Sequence, residues 1–249
     1  MIPRVLILGG TGEAASLARA VATSGWAAPI LSLAGLTDAA PVEGVVMRSG
    51  GFSGPDGLAG YLRGTGVAAV FDATHPFAAR ISEHAARACA TAGVPRFRLQ
   101  RAVWELQPGD RWHAVGSIAD GLEWLRPRAR RVFATLGRRA LAELALAEAF
   151  TFVVRGIVRP PEVPANVVWI SAKPPFPVEE EVALLKRHEV GALFVQASGG
   201  EVTYAKIAAA RALGLPVAML TRPQPPAGAA GSVPEALAWL GGVLGRRST

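Results

Sequence analysis

The segment Asp72-Ala73-Thr74-His75-Pro76-Phe77-Ala78 gathers a carboxylate, a hydroxyl and an imidazole in one short stretch. It directly follows the apolar run Val67-Ala68-Ala69-Val70-Phe71. That run reads as a buried strand, and Ala78 to Ala92 carries Ile81, Ala85, Ala88, Cys89 and Ala92 at helical spacing. Pro76 is unsuited to a helix interior but suits a first turn. The polar cluster is therefore expected on a strand-to-helix turn. In an open parallel sheet such turns lie at the carboxyl edge, where ligands bind and a helix N-terminus offers free N–H groups to an anion. His75, with an ordinary imidazole pKa of about 6.5, can give a proton near neutrality, orient a substrate carboxylate, or only hydrogen-bond its own turn. Asp72 can order His75 or cap the turn. The other histidines, His84, His113 and His188, form no ligand pattern with it, so no metal site is expected.

A second group of residues has the chemistry of a phosphate cradle. Gly9-Gly10-Thr11-Gly12-Glu13-Ala14-Ala15 follows the first apolar run and, read from Gly10, is G-x-G-x-x-A. Small residues there let the backbone approach a pyrophosphate while the helix start supplies partial positive charge. A tight turn that binds nothing is the plain alternative. An NAD site usually has an acidic residue ending the second strand, but Leu31-Ser32-Leu33-Ala34-Gly35-Leu36-Thr37 has none and Asp38 comes late. That pattern leans toward a 2′-phosphorylated cofactor. Gln196-Ala197-Ser198-Gly199-Gly200 is a further turn whose N–H groups and Ser198 hydroxyl can meet phosphate or ribose. Gly50-Gly51-Phe52-Ser53-Gly54 is another small-residue turn. Lys173-Pro174-Pro175-Phe176 offers Lys173 as a carboxylate partner. Tyr204 and Lys206 stand two apart and do not form the Tyr-x-x-x-Lys pair of short-chain dehydrogenases.

The elements that must position these groups alternate along the chain. Apolar runs at 5–8, 29–33, 45–47, 67–71, 97–99, 132–134, 152–154, 167–170, 192–195 and 217–220 read as strands. Helical patterns fall at 13–23, 56–63, 78–92, 119–125, 140–149, 179–186, 204–213 and 234–244. Such alternation means βα units and parallel sheet. Five strands precede the stretch 101–128 and five follow, which predicts an α/β protein of two doubly wound lobes, residues 1–115 and 116–249. Arg222-Pro223-Gln224-Pro225-Pro226 forces an extended connection, after which a last helix or a terminal strand can pack back on the first lobe.

Composition narrows the partners. The 249 residues are 51% hydrophobic, enough for a sizeable core. The single Cys89 excludes a disulfide framework and reads as a buried thiol. Residues 1–124 hold 10 Lys and Arg against 10 Asp and Glu, whereas residues 125–249 hold 16 against 9. A basic second half suits an acidic small molecule. The arginines from Arg126 to Arg139 are not interleaved with stacking aromatics, so no nucleic-acid partner is expected. The start Met1-Ile2-Pro3-Arg4 is no targeting leader and no apolar run is long enough to span a bilayer, so a soluble cytoplasmic protein is expected, without a membrane partner.

Taken in order, Gly9-Gly10-Thr11 with Glu13, Gly50-Gly51-Phe52, the Asp72 to Ala78 string, Ser198-Gly199-Gly200, Tyr204-Ala205-Lys206 and Leu213-Gly214-Leu215-Pro216-Val217 leading to Arg222-Pro223 resemble the precorrin-6A reductase family, including cobalt-precorrin-6A reductases. The resemblance runs nearly end to end, and the Asp-Ala-Thr-His-Pro-Phe-Ala string is its most specific part. It implies two Rossmann-like lobes with NADPH bound between them and reduction of a macrocycle double bond, precorrin-6A to precorrin-6B, in corrin synthesis. On that reading Gly9, Gly10, Thr11, Gly12, Glu13, Ser198, Gly199 and Gly200 hold the cofactor. Thr74, Pro76, Phe77 and Lys173 face the tetrapyrrole, and His75 and Lys206 are the catalytic candidates. The substrate's acetate and propionate groups agree with the basic second half. Neighbouring enzymes of the corrin pathway are the implied protein partners. Three places depart from the family pattern: Leu36 where arginine commonly follows Ala-Gly, Gln196-Ala197 for Lys-Asn, and Lys173-Pro174 for Arg-Gly. A non-catalytic dinucleotide- or tetrapyrrole-binding sensor or carrier is the alternative.

Overall fold

A computed structural model describes residues 2–34, 41–99 and 101–245. Its strands are β1 (Arg4–Leu8), β2 (Ala28–Leu33), β3 (Val46–Ser49), β4 (Val67–Asp72), β5 (Arg96–Leu99) and β6 (Trp112–Val115), then β7 (Arg131–Thr135), β8 (Thr151–Gly156), β9 (Val167–Ser171), β10 (Ala192–Gln196), β11 (Val217–Leu220) and β12 (Ala229–Gly231). The helices are α1 (Gly12–Ser24), α2 (Gly54–Thr65), α3 (Ala79–Ala92), α4 (Ile118–Leu125), α5 (Leu141–Ala145), α6 (Val178–Arg187), α7 (Ala205–Ala212) and α8 (Val233–Val243). The strands form two six-stranded sheets, ordered β12-β5-β4-β1-β2-β3 and β6-β11-β10-β7-β8-β9, and every described pair is parallel. The two doubly wound sheets expected from the alternation are thus present.

Parallel strands between two helical layers must be apolar on both faces. In β1, Val5 and Ile7 join one core with residues of α1 and α8, while Leu6 and Leu8 join the other with α2 and α3. In the second sheet, Val132 and Ala134 pack with α4 and α5, and Phe133 packs with α6 and α7. Cys89 is buried in the α3 layer, as its helical position predicted. Burial pushes its thiol pKa up to about 11, against a lowering pull from Arg96 and with a further push from Asp72.

The chain divides into one unit of residues 1–101 with 223–249 and a second of 102–222. The expected boundaries of 1–115 and 116–249 are corrected in two places. The segment 112–115 is strand β6 of the second sheet, paired with β11, and 229–231 is strand β12 of the first, paired with β5. Both edge strands are short, and β6 has exposed residues at its centre, so neither produces an apolar run. The packing back of the terminal segment on the first lobe is realised: Ala236 and Leu240 of α8 are fully buried in its core. The helix expected at 140–149 is shorter, a 3-10 turn at Arg138–Ala140 followed by α5. Among the described residues no helix is long and apolar enough to cross a membrane, and no His, Cys, Asp and Glu cluster could hold a metal ion.

Candidate active site

In the first sheet the chain winds from β1 outward through β2 and β3, and from β4 the opposite way through β5. The carboxyl ends of β1 and β4 therefore flank a topological switch point, the place where loops diverge and leave a crevice. Both turns that carried the chemistry in the sequence lie there. Thr11 caps α1 by accepting from Ala14 N–H at 3.2 Å, and its hydroxyl donates to the Ala73 carbonyl at 2.7 Å. One side chain thus ties the glycine turn to the Asp72–Ala78 turn. Gly10 has φ +107°, a conformation that side chains with a Cβ resist. A Cβ placed on Gly10 or Gly12 would meet nothing within 4 Å, so the space above the turn is open. On Gly9 it would stand 2.6 Å from Leu31 Cδ1, which explains the small residue by close packing on β2. Among the described residues no acceptor meets the Gly12 and Glu13 N–H groups. An open floor, two free donors and a helix start make a donor set that fits a dinucleotide diphosphate.

Glu13 is half-buried and pairs with Arg101 at 2.5 Å. These two residues, with Thr11, Thr74 and Pro76, line a small cavity joining the two turns. The ion pair neutralises a carboxylate that would otherwise oppose an anion at the head of α1.

Asp72 is 1% exposed. Its Oδ1 accepts from the Thr74 N–H at 3.3 Å and hydroxyl at 2.7 Å. Among the described residues its Oδ2 has no hydrogen-bond donor and stands 3.9 Å from Nη1 of Arg96, which is likewise unmatched. His75 Nδ1 accepts from Phe77 N–H at 3.3 Å, so the neutral ring carries its proton on Nε2. Ala78 N–H donates to the His75 carbonyl at 2.8 Å, and α3 starts one residue later than the spacing predicts. Pro76 lies in the turn before α3 rather than in its first helical turn.

The remaining sequence-predicted residues belong to the second unit. The Ser198–Gly200 turn follows β10 at that sheet's own switch point, where Gln196 Nε2 donates to the Leu136 carbonyl beside it at 2.8 Å. Its backbone is engaged by protein: Ser198 N–H with the Gln196 carbonyl at 2.7 Å and Gly200 N–H with the Ala102 carbonyl at 3.2 Å. Arg222 donates to the Ala197 and Ser198 carbonyls at 2.7 and 3.1 Å. Gly199, at φ +65°, has no room for a Cβ, which would sit 2.1 Å from the Ala102 oxygen. Lys206 is 5% exposed, donates to the Thr203 carbonyl at 2.5 Å and lies 5.2 Å from the Trp104 ring centre. Lys173 is exposed on the loop before α6. That loop is held at Phe176, whose ring stacks 3.6 Å from the Arg155 guanidinium, itself paired with buried Glu181.

The model of the family described as precorrin-6x reductase CbiJ/CobK matches residues 4–241. The chain belongs to the precorrin-6x reductase family. It is 43% identical over 248 residues to a precorrin-6A reductase of Rhodococcus erythropolis, covering 98% of this chain and 99% of that protein. With a cobalt-precorrin-6A reductase of Salmonella typhimurium it shares 31% over 236 residues, 89% of this chain and 88% of that one. A solved structure titled CobK precorrin-6A reductase superposes with a TM-score of 0.90 at 36% identity, covering 97% of each chain.

The precorrin-6x reductase chain also holds charged residues that sequence reasoning passed over. Arg48 donates to Ser32 Oγ at 3.1 Å and to the Gly50 and Gly51 carbonyls at 2.6 and 2.8 Å, with its guanidinium 3.7 Å from the Phe52 ring centre. It thus stands beside the end of β2, where a cofactor's adenosine ribose is read in this fold class. Leu36 and Asp38, considered for that task from sequence, lie outside the described residues. Arg96 and Arg98 alternate with apolar residues in β5 and fall on the face of Asp72, which is in register with Arg98. A period-two reading of Arg-Phe-Arg-Leu would have placed both on one face. Only the pairing of β5 with β4 brings them to Asp72.

Proposed function

We propose that this chain reduces precorrin-6A to precorrin-6B in cobalamin synthesis, with NADPH as the reductant. Its near full-length similarity to precorrin-6A reductases supports the reaction, and the open glycine turn at the first sheet's switch point supports a nicotinamide dinucleotide as hydride source. That turn is the observation that carries the cofactor reading. The choice of NADPH over NADH rests on the absence of an acidic residue at Leu33 and Ala34, where β2 ends, and on Arg48 beside Ser32. A cytoplasmic setting fits this biosynthetic step.

When bound, the cofactor supplies hydride to one carbon of the macrocycle double bond, and the adjacent carbon takes a proton. The protein's part is to bind, orient and protonate. Gly12 and Glu13 N–H groups hold the diphosphate, and Thr11 keeps their turn fixed against the Thr74–Phe77 turn. Arg101 offsets the Glu13 charge. The Phe77 N–H holds the neutral His75 ring with its proton on Nε2. When Nδ1 instead takes a proton from solvent the ring becomes imidazolium, and it then delivers the Nε2 proton to the macrocycle and returns to neutral. Thr74, Pro76 and Phe77 form the surface beside it. In the second unit, Lys173 on its exposed loop meets a substrate carboxylate. Ser198, Gly199 and Gly200 are the cofactor contacts proposed for this unit, with the Ser198 hydroxyl as the side-chain group. Lys206, tied to Thr203, holds the loop that follows them.

Purified protein mixed with NADPH and precorrin-6A tests the reading. Absorbance of the reduced nicotinamide should fall only when the macrocycle is present. No substrate-dependent fall, under conditions where another precorrin-6A reductase turns over, would refute it.

A further inference from the structure

Arg98 stands out because a guanidinium needs acceptors and this one has no hydrogen bond among the described residues. It lines a cavity of about 20 Å³ together with Asp72, Thr74, His75, Ser82 and the wall Pro223–Pro226. All of these belong to the first unit. The charges do not balance. Among the described residues Asp72 is the sole carboxylate lining this cavity, with Arg98 beside it and Arg96 within 3.9 Å, so one positive charge is left over. Burial lowers the Arg98 pKa from its ordinary value, against a raising pull from Asp72 and a further lowering push from Arg96. A guanidinium that lines a cavity and has no protein acceptors among the described residues is available to a ligand that supplies them. The cavity is too small for a ring. Its volume suits one or two water-sized groups, such as the oxygens of a single carboxylate.

We infer that Arg98 is a specificity-determining residue that receives one carboxylate of the macrocycle's acetate or propionate side chains in the cavity beside His75. A carboxylate offers two acceptors to the guanidinium fork and brings the cluster of Asp72, Arg96 and Arg98 to neutrality. The cofactor's carboxamide, the other group small enough to enter, is neutral and offers one acceptor. Anchoring an acid group here also places the macrocycle beside the imidazole. The inference rests on the proposed function for the identity of the substrate.

The test compares wild type with Arg98→Met and Arg98→Lys. With NADPH saturating, Arg98→Met should raise KM for precorrin-6A on the order of tenfold to a hundredfold, as for loss of a charged hydrogen-bonded pair. KM for NADPH should stay within about twofold, and Arg98→Lys should recover part of the loss. A raised KM for NADPH alone would assign the cavity to the carboxamide, and unchanged constants would remove the subsite; either overturns the inference. A separate readout needs no turnover: uroporphyrin III, whose every ring bears an acetate and a propionate, should bind wild type and lose about tenfold affinity in Arg98→Met. Should wild type bind this probe but not oxidise NADPH, the proposed function fails while the subsite stands. If Arg98→Met does not fold, phenylglyoxal labelling of wild type decides. Bound uroporphyrin III should shield Arg98, and NADPH alone should not; the reverse pattern overturns the inference.

Discussion

Replacing Thr11 by valine removes two hydrogen bonds made by one oxygen while keeping the side-chain volume. The first is the cap on Ala14 N–H at 3.2 Å, worth about 1 kcal/mol by comparison with other helix caps. The second is the 2.7 Å bond to the carbonyl of Ala73, a residue only 2% exposed, where an unmatched oxygen costs roughly 1–3 kcal/mol. The two losses share an atom and are not independent, so we expect about 2 kcal/mol in total. For a chain of this length that corresponds to a melting temperature lower by about 4–8 °C. Thr11 also holds the glycine turn against the Asp72–Ala78 turn, so NADPH affinity should fall by about tenfold, or ~1.4 kcal/mol. Thermal unfolding by circular dichroism and NADPH titration by tryptophan fluorescence read the two effects. Thr11→Ser keeps both bonds and should restore both. A Thr11→Val protein that melts and binds like wild type would refute the role given to this tether.

Four further outcomes follow from single contacts. Arg48→Met should weaken NADPH binding about tenfold and leave NADH binding nearly unchanged, since only the former carries the 2′-phosphate; equal losses in a titration would refute that discrimination. Cys89, with its thiol pKa near 11 and its side chain buried, should react with a thiol reagent at pH 8 only after denaturation. Prompt labelling of native protein would contradict the packing of α3. Gly199→Ala should lower thermal stability and soluble yield, because the new methyl meets the Ala102 oxygen in a left-handed backbone, and a wild-type melting curve would show the turn to be looser than described. The Ser232 N–H and hydroxyl hold the Glu235 carboxyl below its ordinary pKa. Its contribution is present above the unfolded pKa and lost as pH falls through the folded one. Glu235→Gln should therefore melt below wild type at neutral pH, with the gap closing in acid; a gap independent of pH would refute the capping role.

Much of this architecture was legible because parallel strands buried on both faces leave unbroken apolar runs. The runs at 5–8, 67–71 and 192–195 correspond to central strands, whose neighbours on either side demand Val, Ile, Leu and Phe. Edge strands make no such demand. Trp112–Val115 has exposed residues and Ala229–Gly231 has only small ones, so nothing in their composition announces a strand. The glycine turn and the Asp72–Ala78 turn were readable as local chemistry, and β1 and β4 being neighbours brings them together as expected. Arg96, Arg98 and Arg48 were not read as site residues, because their relevance depends on strand register: Asp72 against Arg98 and Ser32 against Arg48. Register between strands distant in sequence is set by packing, which a single sequence does not display.

The central claim is that the turn after β1 receives the diphosphate of a reduced nicotinamide cofactor, and a crystal structure of the NADPH complex tests it most directly. The expected result is diphosphate oxygens within hydrogen-bonding distance of the Gly12 and Glu13 N–H groups, with the nicotinamide near His75. A cofactor whose diphosphate lies away from α1 would contradict it.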